Sequence, residues 1–309
     1  MTPTPARITL LVPCYNAARY LPRLMESVRA QTRPFDAILC YDDGSRDDTV
    51  AVARRLGSDI ITGQPNAGVA VARNRLAAAA ATEWIHFHDA DDLILPGYVE
   101  RLAPACNARH DVVSCDADWV DEVTRSLFIA WRFDPTELAC APLRHLLTHS
   151  MGLNSSIIRR ASWQAIGGCD ETLEMWEDAD VHIRLARAGA RFCHVPEVHT
   201  MSLRHGDSLS HDYRKNWACR VATLERYAAA SGAEAVAAEL AGEAERAAAE
   251  LAFLDARPAA ERALALCRKL GARPPTTRHP GLRLLKLFFP AYPLVRWQAR
   301  RRRTPSCPG

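Results

Sequence analysis

Short apolar runs that stop abruptly alternate, through the N-terminal third of the chain, with segments whose apolar residues recur at helical spacing. Ile8-Thr9-Leu10-Leu11-Val12 is apolar and β-branched and ends at Pro13, the pattern of a buried strand. Leu21, Leu24, Met25 and Val28 then repeat every three to four positions, which predicts a helix over 18–31. A second strand, 37–41, runs into Asp42-Asp43-Gly44-Ser45. A helix over 49–56, a short strand over 59–62 and an Ala-rich helix over 69–81 carrying Arg73 and Arg75 follow. Trp84 to His88 is again apolar and aromatic and breaks into Asp89-Ala90-Asp91-Asp92. Strands and helices alternating through short links predict a mostly parallel sheet with helices on both faces.

Past Pro96 the pattern loosens. A helix is expected over 98–107, strands over 111–115 and 119–123, and an antiparallel return over 128–133. A short helix over 142–148, a strand over 155–158, a helix from Trp176 to about Ala188 and a strand over 192–195 complete the α/β part. Gly189 suits the C-terminal stop of its helix. From Tyr213 the text is rich in Ala, Glu and Arg and reads as helices, notably 233–254 and 259–270. The expected division is an α/β domain over 1–225, a helical region over 226–280 and a tail over 281–309.

Charge separates the tail from the rest. From Arg262 onward there are 12 Lys and Arg and no Asp or Glu, whereas 1–261 holds 27 basic and 36 acidic residues. Large apolar residues (Leu282, Phe288, Phe289, Trp297) are interleaved with those cations, a composition suited to an anionic membrane surface. A helix packed on the protein with a solvated basic end accounts for the same residues. Arg283, Lys286, Pro290 and Pro293 interrupt the segment too often for it to span a bilayer. The acidic body and the absence of a known nucleic-acid motif argue against nucleic acid as a partner. None of the 10 Cys stands in a C-x-x-C pair, and no apolar leader precedes the first strand. A cytoplasmic protein with buried thiols, peripheral at most on the inner face of the membrane, is expected.

Three carboxylates within four residues repel one another, and a divalent cation bearing a phosphorylated ligand is one reason to collect them. An acidic first turn of a helix is another. Four further stretches bear on the choice: Pro13-Cys14-Tyr15-Asn16, Asp42 to Ser45, Asn66-Ala67-Gly68 with Arg73-Asn74, and Glu177-Asp178-Ala179-Asp180. Loops that follow parallel strands converge on one crevice. In this order and context, over roughly residues 7–211, the motifs resemble those of a family 2 glycosyltransferase of GT-A fold, non-processive and bacterial in type.

The resemblance implies an inverting transfer of a sugar from a nucleotide-diphosphate donor, UDP-linked in the first instance, to a hydroxyl on a glycan or lipid-linked acceptor. It places Pro13, Tyr15, Asn16, Asp43, Arg73 and Asp89 at the nucleotide. Asp91 and His205 become ligands of Mn²⁺ or Mg²⁺. Asp178 becomes the base, with Glu177, Trp176, Asp180 and Asn154 toward the acceptor. Leu203 to Ser210 resembles a closing loop. A helix start favours an ionised Asp178. The chain departs from the family in His88 before the D-x-D and in lacking the Q-x-x-R-W of processive members. The alternatives are a nucleotidyltransferase that makes the activated sugar, whose Gly-rich basic loop is missing after the first strand, and a catalytically silent nucleotide-sugar-binding protein.

Overall fold

Strand β1, Ile8–Cys14, is buried along nearly its whole length, as an unbroken apolar run in a parallel sheet must be. β2 (Ala37–Asp43) and β4 (Trp84–Phe87) flank it in parallel, and β3 (Asp59–Gly63) lies beyond β2. The crossovers are α1 (Leu21–Arg29), α2 (Thr49–Arg55) and α3 (Val69–Ala79). This computed structural model describes residues 5–206, 212–271 and 291–302.

The second half of the sheet is mixed. β8 (Ser156–Arg159) is antiparallel to β4. β6 (Val112–Asp121) is antiparallel to β8 and parallel to β9 (Phe192–Arg204). β5 (Leu93–Ile94) closes the far edge on β9, and β7 (Leu127–Trp131) turns back antiparallel on β6. The spatial order is β3-β2-β1-β4-β8-β6-β9-β5, with β7 beside β6. The parallel part carries the loops that matter, because β1, β2 and β4 end on the same side.

Several elements differ in extent from the sequence pattern. α1 starts at Leu21 because the preceding amides are already engaged: Ala17 N–H donates to Thr49 Oγ1 and Ala18 N–H to Asp47 Oδ2. The helix from Tyr98, α4 (Tyr98–Leu102), tightens into a 3₁₀ turn at Ala103–Ala105, where Pro104 lacks an N–H. The two expected strands around residue 117 are one strand, β6. β9 continues well past Val195: its pairing with β6 jumps from Cys115–Val195 to Asp116–Val198, so a bulge absorbs Pro196 and Glu197. α5 (Pro135–Cys140), α6 (Pro142–Thr148), α7 (Arg160–Ala165) and α8 (Glu177–Arg187) complete this unit.

Contacts divide the chain into Met1–Ser208 and Leu209–Gly309, and residue 225 falls inside α9 (Tyr213–Ala229). The second unit adds α10 (Ala237–Phe253), α11 (Arg257–Lys269) and a last helix, Ala291–Arg302. Its core is Val221, Ala247, Ala248, Leu251, Ala260 and Leu264, with Tyr292 and Val295 from the last helix. The small Ala faces let the helices approach closely. Asp255 accepts from the Tyr292 hydroxyl at 3.2 Å and from Arg296 at 2.8 Å. The described part of the basic tail therefore packs within its own helical unit, leaving Trp297 exposed. Residues 281–290 and 303–309 lie outside the described residues. Among the described residues, no helix is long and apolar enough to cross a membrane. The nine described cysteines are unbridged.

Candidate active site

The loops after β1 and β2 are laced together. Asn16 sits at φ 50°, a left-handed conformation that Asn tolerates, and its Oδ1 accepts from Arg46 N–H at 2.9 Å. Its own N–H donates to Ser45 Oγ at 2.9 Å. Tyr15 between them is exposed, and Pro13 lies in register with Tyr41. Asp43, at the end of β2, is buried. Its carboxylate accepts from Ala67 N–H at 3.0 Å and Gly68 N–H at 2.8 Å. Gly68, at φ 97°, admits no side chain without strain and leads directly into α3.

α3 is the spine of the site. Five residues past Gly68, the buried Arg73 donates through Nη2 to Asp89 Oδ1 at 2.9 Å and through Nη1 to Glu177 Oε1 at 2.5 Å. Burial opposes the guanidinium charge, but Asp89 and Glu177 outweigh it and push the Arg73 pKa up. Asn74 grips Cys169 by both ends of its amide, donating to the carbonyl at 3.0 Å and accepting from the N–H at 2.8 Å. A side chain on Gly168 would strike Asn74 Oδ1, so the loop entering α8 closes onto α3 only as glycine.

The three acids of the D-x-D-D run have separate environments. Asp89 is the most open. Asp91 Oδ2 accepts from His205 Nε2–H at 2.7 Å, and the other ring nitrogen of His205 takes the Tyr20 hydroxyl at 3.3 Å. Burial, and then the charge of Asp89, raise the Asp91 pKa. Arg23 holds the Asp91 carbonyl at 3.1 Å and Glu122 at 2.9 Å. Asp92 is buried and structural: it accepts from Leu203 N–H at 2.9 Å, Ser202 Oγ–H at 2.8 Å and Asn154 Nδ2 at 3.1 Å. Its pKa is raised well above the carboxylate range, by burial first and then by Asp91. Asn154 thus spends its amide nitrogen on Asp92 and Ser202 rather than on an open face.

At the start of α8, Trp176 adopts φ 72° and is buried. Asp178 is half-buried, and its Oδ1 accepts from Ala179 N–H at 2.7 Å. Burial, followed by the neighbouring Glu177, pushes its pKa up to about 7, with Arg73 pulling the other way. The direction is opposite to that expected from the helix start alone, because desolvation and a like charge outweigh the dipole. Beneath it His182 donates to the Asp178 carbonyl at 2.9 Å and receives the Ser156 hydroxyl at 2.9 Å. Asp180 is fully buried and paired with Arg184 at 2.6 Å, so it faces the protein and not a ligand. His88 is fully buried behind the acidic loop, and burial holds its pKa down at about 3.

Asp43, Arg73, Asp89, Glu177 and Asp178 are therefore joined through α3, and Asp91, His205 and Asn154 through the acidic loop. Residues 207–211, the rest of the expected closing loop, lie outside the described residues. The sequence reading missed Asn74, Tyr20 and Gly152. A side chain on Gly152 would begin 2.7 Å from Asn154 Oδ1 and 3.6 Å from both Asp178 Oδ2 and Trp131 Cζ3. Only the pairing of Arg73 with Asn74 in one motif hinted at any of these.

A carboxylate oxygen and an imidazole nitrogen in contact, beside the open Asp89, suit Mg²⁺ or Mn²⁺. No assembled cluster of three or more such donors occurs among the described residues. A cation held by Asp91 and His205 would take its other ligands from phosphate oxygens and water, the habit of Mg²⁺ sites.

The model of glycosyl transferase family 2 matches residues 9–167. An Escherichia coli relative described as the uncharacterized glycosyltransferase YibD is 33% identical over 136 residues, 42% of this chain and 39% of that one. The Rhizobium meliloti succinoglycan biosynthesis protein ExoU is 26% identical over 68% of this chain and 66% of its own. The matches to YibD and to the next curated relative span only 39% and 59% of the lengths of those proteins. In fold, the chain is similar to S. aureus TarS 1-349 in complex with UDP-GlcNAc, with a TM-score of 0.59, 19% identity, and 85% and 89% of the two chains covered. It is also similar to the mannosyltransferase PcManGT from Pyrobaculum calidifontis in complex with GDP-Man and Mn²⁺, with a TM-score of 0.62, 17% identity, and 97% and 87% covered. With half of its length matched by the family model and its fold that of GT-A glycosyltransferases, the chain belongs to glycosyl transferase family 2.

Proposed function

We propose that the protein is an inverting glycosyltransferase that moves a sugar from a nucleotide-diphosphate donor to an acceptor hydroxyl. The observation that carries this reading is the double hydrogen bond of Arg73, which ties the acidic loop after β4 to the acids that open α8. Family membership and the donor complexes of the two structural neighbours support it.

Pro13, Tyr15, Asn16 and Asp43 form the nucleotide end in this reading. A carboxylate there selects a base with a ring N–H; uracil has one and guanine has one, and UDP is our first choice. Asp91 and His205 would hold the divalent cation, with the open Asp89 the nearest further acid of the run. When bound, the cation neutralises charge growing on the departing diphosphate. Asp178 Oδ2 takes the proton of the acceptor hydroxyl as its oxygen bonds to the anomeric carbon. The bond from that carbon to the phosphate oxygen breaks on the opposite face, and its electron pair leaves with the nucleoside diphosphate. A pKa near 7 suits a base working near neutrality. Arg73 and Glu177 position rather than react.

The test is a thermal-shift panel of nucleoside diphosphates and their sugars with and without Mn²⁺. Stabilisation by one nucleoside diphosphate, dependent on Mn²⁺ and weakened by Asp91→Ala, is expected. A panel with no such response ends the reading. We also propose that exposed Trp297, with Arg300 beside it, touches an anionic membrane carrying a lipid-linked acceptor. Because Tyr292 and Val295 are core residues, Trp297→Ala in a liposome flotation assay is a cleaner test than deleting the tail.

A further inference from the structure

We propose that the β6–β7 ribbon is the acceptor track, and that the acceptor is a glycan of more than one pyranose laid along an aromatic row beginning beside Asp178. The inference rests on the assignment of Asp178 as the base. Trp131 Cζ3 and Asp178 Oδ2 stand at equal distance, 3.6 Å, from the point where a side chain on Gly152 would start. The missing side chain lets ring and carboxylate approach the same buried point, with Asn154 Oδ1 2.7 Å from it. From Trp131 the row continues outward: its ring centroid is 5.8 Å from that of Trp119, which is 5.7 Å from that of Phe128. The guanidinium of Arg204 lies 4.2 Å from the Phe128 centroid and ends the row.

These rings are not core. Phe128 is 45% exposed, and Trp119 and Trp131 are half-buried. Contiguous exposed aromatics mark interaction sites. A pyranose has an apolar face of C–H bonds whose hydrogens are slightly positive, and an aromatic face is slightly negative, so the two stack. The rings stand tilted by 33° and edge-on at 76°, presenting separate faces in succession instead of one continuous greasy groove. That suits repeated rings better than an acyl chain. Arg132 is consumed within the ribbon, donating to Asp118 at 2.6 Å and to the Ala117 carbonyl at 2.9 Å, while Asp116 and Glu122 are paired with His194 and Arg23. The terminal sugar would rest on Trp131 with its hydroxyl toward Asp178, and the units behind it on Trp119 and Phe128.

Calorimetric titration of the full chain, saturated with nucleoside diphosphate and Mn²⁺, tests this. The probes are one-, two- and four-unit saccharides of the β-1,4-linked N-acetylglucosamine, glucose and mannose series. In at least one series affinity should rise about tenfold from one unit to four. Trp119→Ala and the exposed Phe128→Ala should each abolish that gain, and Trp119→Phe should keep most of it. Three results overturn the inference: no series binds, affinity is independent of length, or phosphatidylglycerol vesicles bind through these rings while saccharides do not. The nucleoside-diphosphate thermal shift separates the two levels. If it is present but length dependence is absent, only the track is wrong; if it is absent in the unaltered protein, the proposed function itself falls.

Discussion

Arg73 donates to Glu177 at 2.5 Å across 104 residues of sequence. Both side chains are nearly buried, so neither charge has water to fall back on. Breaking such a pair from one side leaves an uncompensated buried charge, which typically costs about 3–5 kcal/mol. Arg73→Ala should lower the unfolding free energy by an amount on that scale, read as a fall in the denaturant midpoint at unchanged m. Arg73→Lys should recover little, because a point charge cannot serve Asp89 and Glu177 together. Equilibrium urea unfolding of the three proteins checks both.

Asp178→Asn separates chemistry from binding. Turnover should fall by about 10²–10⁴-fold, the usual worth of a general base, while the thermal shift with nucleoside diphosphate stays. In the unaltered protein kcat/KM should rise with pH and level off above about 7, as Asp178 loses its proton.

The same group carries a stability sign. Its folded pKa lies above its unfolded value, so between about pH 4 and pH 7 the folded state holds the extra proton and stability falls as pH rises. Asp178→Asn should therefore raise the melting temperature at pH 8, by a gain on the order of 2 kcal/mol, and leave it unchanged near pH 4. Scanning calorimetry at the two pH values decides it.

Asp92 is a clamp whose removal strands two donors, Leu203 N–H and Ser202 Oγ–H, and leaves Asn154 Nδ2 with Ser202 Oγ alone. Unsatisfied buried groups cost about 1–3 kcal/mol each. Asp92→Ala should destabilise more than Asp92→Asn, which keeps an acceptor for Leu203 N–H. Thermal melts of the two variants, with nucleoside diphosphate present and absent, would register the order.

How much of this could be read from residues alone varied with the physics involved. β1 and β4 are buried on both faces and β2 is buried from Cys40 on, so their apolar runs announced them. β9 was legible only to Val195, because Pro196 normally ends a strand and only a pairing partner reveals a bulge. Asp116 and Asp118 read as loop residues, yet they lie within β6, balanced by His194 and Arg132. α5 and α7 are too short for periodicity to declare. The motifs picked out Asp43, Asp91 and Asp178 as candidates, and the structure sets them at the end of β2, in the loop after β4 and in the first turn of α8. Which way a side chain turns is not written in spacing. Glu177 and Asp180, read as facing an acceptor, turn to Arg73 and Arg184. Gly152 matters by what it lacks, and no local pattern flags that.

Three imidazoles lie sealed in the interior, His86 and His88 behind the acidic loop and His182 beneath Asp178, and burial holds all three below the usual histidine range. Burial holds His86 well below its usual value, His88 at about 3 and His182 at about 4. An unfolded chain takes up those protons below about pH 6.5 and the native one does not, so acid draws the equilibrium toward unfolding. Activity is expected to fail first, as Asp178 takes up its proton, and the acid limit of the fold itself to be set by rings that must stay uncharged. Melting temperatures followed downward from pH 7 should drop steeply, and His88→Gln should flatten the slope.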